Sequence, residues 1–178
     1  VFEDASLWQV PVEPVAERLK LRRESLTSTQ SSYRAYPNED YRVLGARPYS
    51  VALYADEGKI SGLSLVFANK GDLFGAKGGG ELHFDSDTPP ADAAKIVKTA
   101  MDKDLAAIAD TLTTKLGPAK KSRFGEGKVG RMNMQRWDWR DHAFLLAEAE
   151  GEYVGLQIVP AAFADAGGKS TRVPDTVI

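Results

Sequence analysis

Within "GAKGGGELHFDSDTPP", residues 75 to 90, three glycines, a lysine, a histidine and an Asp-x-Asp pair fall close together. Side chains alternate between faces along an extended strand, so His83, Asp85 and Asp87 would share one face and offer an imidazole and two carboxylates to a hard cation. A cation held there would polarise a bound water, and a metal-assisted hydrolase is the enzymatic alternative that this segment supports. Against it, an EF-hand loop needs further oxygen ligands and a distal glutamate, and zinc needs another firm ligand. Asp87 also has a ready structural role as cap of the helix that follows. Nor do the glycines make a phosphate loop, because Lys77 precedes Gly78, Gly79 and Gly80 where such a loop places its lysine after the last glycine. A dinucleotide fingerprint needs a third glycine where Leu82 and His83 stand. The stretch reads chiefly as a joint, and no cofactor is expected.

Other reaction chemistry is thinly represented. The chain has no cysteine, which removes thiol nucleophiles, thiolate metal sites and disulfides. Ser64 in "GLSLV" lacks the second glycine of a nucleophile elbow. His142 in "WRDHAF" is expected to be a solvated turn residue.

Charge is the more informative signal. The formal net charge of −2 argues against a surface that is basic throughout, yet residues 115 to 136 carry Lys115, Lys120, Lys121, Arg123, Lys128, Arg131 and Arg136 against Glu126 alone. Residues 115 to 131 read either as a solvated connection or as a loop that meets a protein or polyanionic partner. Next to it, "RWDWR" puts Trp137 and Trp139 on one strand face, where they would form either core or a stacking platform for sugars or bases. Met132 and Met134 are expected to extend the same apolar face.

These residues must be positioned by a larger pattern. At an offset of 93 residues, "LYADEGKISGLSLVFA" from Leu53 aligns with "LAEAEGEYVGLQIVPA" from Leu146; Leu53/Leu146, Glu57/Glu150, Gly58/Gly151, Gly62/Gly155, Leu63/Leu156, Val66/Val159 and Ala68/Ala161 are identical. The same offset sets "VAERL" at Val15 on "IADTL" at Ile108. In "PADAAKIVKTAMDKDLAAIADTLTTKLGP", Val97, Met101, Leu105, Ile108, Leu112 and Leu116 recur every three or four residues, which predicts a long helix closed by Gly117 and Pro118. A shorter helix is expected from about Pro14, with Val15 and Leu19 facing inward. Period-two runs at Val51/Leu53, Leu63/Leu65/Phe67 and Val154/Leu156/Ile158 predict strands, and the Glu-Gly turns predict hairpins.

The expected fold class is therefore α+β: a two-layer arrangement of an antiparallel sheet packed against two helices, internally duplicated as αβββ-like halves. One domain is expected over 1–165, with halves at about 7–70 and 91–161, a joint at 70–90, and a linker or tail at 166–178. No segment is apolar for long enough to predict a membrane-spanning helix.

"RPYSVALYADEGKISGLSLVFANKGD" and "LGPAKKSRFGEGKVGRMNMQRWDW" resemble uncharacterised bacterial secreted regions that lie N-terminal to papain-like cysteine peptidase domains. The resemblance spans most of residues 7 to 160. It implies a non-catalytic accessory domain, located extracytoplasmically in the periplasm or medium, with a covalently linked catalytic domain downstream. Taken together, the expected function is a binding or accessory module of a larger secreted protein.

Overall fold

The computed structural model describes residues 7–25, 29–38, 40–69, 90–124 and 132–167. Three α-helices are seen among them: α1 (Val12–Arg18), α2 (Pro90–Leu116) and α3 (Ala161–Asp165). The strands are β1 (Arg22–Ser25), β2 (Gln30–Ala35), β3 (Pro48–Asp56), β4 (Lys59–Phe67), β5 (Lys120–Phe124), β6 (Met132–Trp139), β7 (His142–Ala149) and β8 (Tyr153–Pro160). A single turn of 3₁₀ helix, Leu7–Gln9, precedes α1. All eight strands join one antiparallel sheet in the order β1-β2-β3-β4-β8-β7-β6-β5, an α+β fold as the period-two runs predicted. Each run of strands holds four members, where three were expected.

The long helix follows its periodicity. Val97, Met101, Ile108 and Leu112 are buried, and Leu105 and Leu116 pack partly buried beside them. At 27 residues it is about 40 Å long. Gly117 ends it, its N–H returning to Thr113 O at 2.9 Å with a positive φ of 87° that a β-carbon would resist. The first helix differs from expectation. It begins at Val12 and buries Val12 and Ala16, while Leu19 stands exposed just before Lys20 turns the chain with φ 55°.

Strand parity divides the side chains between two faces. The face toward α1 and α2 holds the main core, including Leu53, Leu63, Leu65, Phe67, Trp137, Phe144, Leu146, Val154, Leu156 and Ile158. On the opposite face a smaller cluster of Met134, Ala143, Leu145, Ala147 and Val159 is covered in part by Phe163 and Ala164 of α3. Met134 and Trp137 are three positions apart, an odd number, so they occupy opposite faces; the expectation that the methionines extend the tryptophan face is corrected by parity.

The two Glu-Gly turns have the backbone that the sequence demands. Glu57 and Gly58 both have positive φ, 50° and 76°, as do Glu150 and Gly151 at 46° and 77°, the signature of primed hairpin turns. The hairpins then diverge by one residue. Between Tyr54 and Ala55 the β3–β4 register shifts, which swings Ile60 into the core at 1% exposure. The β7–β8 pairing runs unbroken through Ala147↔Gly155, Glu148↔Val154 and Ala149↔Tyr153, and Tyr153 is left exposed on the other face. The N-terminal segment pairs beside the shifted hairpin, donating Val12 N–H to Gly58 O and accepting Ile60 N–H at Val10 O.

Candidate functional site

The basic run starts on β5, the last strand of the sheet order, whose outer edge has no strand partner among the described residues. A strand so rich in lysine and arginine suits an edge, because charged side chains discourage another strand from pairing there. Lys120, Lys121 and Arg123 are all exposed. Parity sends Lys120 to the α3 face and Lys121 and Arg123 to the α2 face, so the basic run does not converge on one point. Lys128 and Arg131 lie outside the described residues.

On the α3 face the charge is balanced internally. Lys120 sits opposite Arg136 across the β5–β6 pair, and both reach Asp138, Lys120 Nζ at 3.3 Å from Oδ2 and Arg136 Nη2 at 2.7 Å from Oδ1. Arg136 also contacts Asp165 of α3, Nη1 to Oδ1 at 2.7 Å. Burial pushes the pKa of Arg136 down, but its hydrogen bonds to Asp138 and Asp165 outweigh that and hold it above the usual value. The acid within "RWDWR" is thus a local counter-ion shared by β5 and β6, Arg136 carries the link on to α3 through Asp165, and Lys121 and Arg123 are the cations that β5 directs to the other side.

The tryptophans separate. Trp137 is 2% exposed within the main core and donates Nε1–H to Thr113 Oγ1 of α2 at 3.3 Å, so it offers no surface to a ligand. Trp139, two residues on, is 40% exposed, with the Arg140 guanidinium 5.5 Å from its ring centroid, within range of a cation–π contact.

His142 is fully buried at the start of β7, which corrects the expectation of a solvated turn residue. The two-residue turn Arg140-Asp141 leaves it inside the sheet, opposite Pro160 and Trp139. Its ring meets Trp8 edge to face at 5.0 Å, and its Nδ1 lies 3.2 Å from Asp141 Oδ1. Asp141 is bound in turn by its carbonyl, which accepts from Ala161 N at 2.7 Å and Trp8 Nε1 at 3.4 Å. This cluster fastens the N-terminal 3₁₀ turn to the β6–β7 turn and the start of α3.

His83, Asp85 and Asp87 lie outside the described residues. Among the described residues no group of three or more His, Cys, Asp or Glu side chains is placed to hold a metal ion, and no helix is long and apolar enough to cross a membrane.

One feature escaped the sequence pattern: a cavity of about 590 Å³ between the segment around Arg42–Tyr49 and the first half of α2. Its walls come from positions some 50 residues apart in the chain, and neither wall has a motif. Comparison of the chain with protein-family models, with curated proteins and with solved structures finds no match.

Proposed function

We propose that this chain is a non-catalytic binding domain, an accessory module of a larger secreted protein, that meets a polyanionic surface through the β5 edge. The observation that carries the reading is the exposure of Lys121 and Arg123 on a strand with no described partner on its outer side, in a chain whose net charge is otherwise slightly negative. A local cationic strip on an acidic protein attracts polyanions by position and is sensitive to salt. The extracytoplasmic setting and the downstream catalytic domain rest on the resemblance carried by residues 7 to 160.

The domain is further read as a unit made twice by gene duplication. Three registers support that reading. In β3–β4, Leu53 faces Leu63 and Val51 faces Leu65; in β7–β8, Leu146 faces Leu156 and Phe144 faces Ile158, each pair displaced by the same 93 residues. At the centre, Leu63 pairs with Ile158, Ser64 with Gln157 and Leu65 with Leu156. Each residue thereby faces the counterpart of its own mirror position, and Ser64 faces its own counterpart. An isologous contact about a twofold axis has this property.

The edge is tested by retention on immobilised heparin at low salt. The charge reversal Lys121→Glu with Arg123→Glu is expected to elute at clearly lower salt than the parent. Arg22→Glu with Arg23→Glu, on the opposite edge strand β1, changes net charge equally and is expected to shift elution much less. Equal shifts for the two pairs would remove the β5 edge as the binding surface.

A further inference from the structure

The cavity beside α2 is built around a pinned turn. Val43 and Ala46 exchange both backbone hydrogen bonds, Val43 N to Ala46 O at 2.8 Å and Ala46 N to Val43 O at 3.0 Å. The turn between them has positive φ at Leu44, 53°, and Gly45, 82°. The turn then rests on the helix. A β-carbon on Gly45 would already be in contact with Ala107 Cβ at 3.5 Å, and Thr111 Oγ1, whose hydroxyl donates to Ala107 O at 2.8 Å, lies 3.3 Å from Leu44 O. The chain leaving this turn toward β3 is therefore held at a fixed distance from α2, and the space one to four helical turns earlier is the cavity.

Its lining has two chemistries. The floor is apolar, from Ala46, Ala68, Ile96 and Ala100, and Ile96 remains 36% exposed, an exposed aliphatic side chain on a helix whose neighbouring turns bury theirs. Tyr49 lines the wall and meets Tyr36 edge to face at 5.4 Å; Tyr36 is itself 62% exposed and Tyr41, next to the cavity residue Arg42, is 51% exposed. Among the described residues the cavity is lined by Arg42, Arg47, Lys95 and Lys103 together with Asp92 and Asp104; Arg42, Arg47 and Asp104 already take part in interactions within the protein, which leaves Lys95 and Lys103 as the cations for a ligand. Lys95 and Lys103 both line the cavity from α2, where their alkyl stems can lie along the apolar floor while the ammonium groups reach water.

We propose that this cavity binds a small amphipathic anion, an apolar body bearing a single negatively charged headgroup, with the body on Ile96 and Ala100 and the headgroup at Lys95 and Lys103. A cavity of about 590 Å³ falls within the roughly 300–1,000 Å³ that small-molecule sites occupy. Two exposed lysines suit one headgroup, and an apolar floor with a preformed wall limits the ordering cost of binding. The site is independent of the β5 edge.

Titration of the intact chain with 8-anilinonaphthalene-1-sulfonate, followed by fluorescence, tests this. Saturable binding at one site is expected, displaced by decanoate and not by decanol. The double variant Lys95→Glu, Lys103→Glu is expected to bind about tenfold more weakly, and Ile96→Asp to lose binding to a similar degree. All three positions are exposed, so the variants should keep the parent's circular dichroism and melting temperature. The variant Lys121→Glu, Arg123→Glu should bind the dye as the parent does. Affinity in the double variant within twofold of the parent, or equal displacement by decanol, would overturn the proposal.

Discussion

At the scale of single residues, parity and burial separate side chains that the sequence made look alike. Trp137 and Trp139 share a strand face, yet one is enclosed between the sheet and α2 with its indole N–H on Thr113, and the other stands at the strand's end over the Arg140 guanidinium. Trp137→Ala should therefore cost about 3–5 kcal/mol in urea unfolding, whereas Trp139→Ala should stay within about 0.5 kcal/mol. Comparable costs for both would contradict the burial described. His142 carries the same lesson. Its neighbours Arg140 and Asp141 have turn chemistry, but a two-residue hairpin loop returns the chain to the sheet at once, and the ring lands against Trp8, which comes from the far end of the chain. A histidine's solvent exposure depended on a contact 134 residues away, which no local pattern encodes.

At the scale of elements, the sheet edges are the least legible parts. "RRES" and "KKSRF" lack alternating apolar residues because β1 and β5 lie at the rim, where little core is available to reward alternation. The central strands were legible for the opposite reason. β7, "HAFLLAEA", is buried over six consecutive positions because main core lies on one face and the α3 cluster on the other. The charges on β5 also have a consequence for association. Replacing Lys121 and Arg123 together by valine leaves a free apolar edge, and a rise in apparent mass by light scattering is expected as edges pair. Unchanged mass would mean that the edge needs no charged guard, leaving ligand attraction as the better account of its cations.

For the molecule as a whole, the β4–β8 contact is the seam. The first four strands and the last four meet only there within the sheet, through five register pairs whose inner residues Leu63, Leu65, Leu156 and Ile158 are buried. The two hairpins beside that seam were legible in the 93-residue offset, and the seam itself was not. Fragments 1–79 and 80–178, expressed together, are expected to associate into a one-to-one complex with the parent's circular dichroism, because the pairing surface is continuous and apolar. Failure to associate would show that the seam depends on the covalent joint.

By itself the sequence determined the helix face of α2, the two Glu-Gly hairpins, the antiparallel α+β class and the basic character of the β5 segment. These follow from periodicity, turn chemistry and charge, each of which is local to a few consecutive residues. Only the tertiary structure decided which tryptophan is core, why Ile60 and Tyr153 face opposite ways and where a cavity opens between the pinned turn at Leu44–Gly45 and α2. Those outcomes depend on which distant segments come to lie against each other, and spacing along the chain carries no record of that.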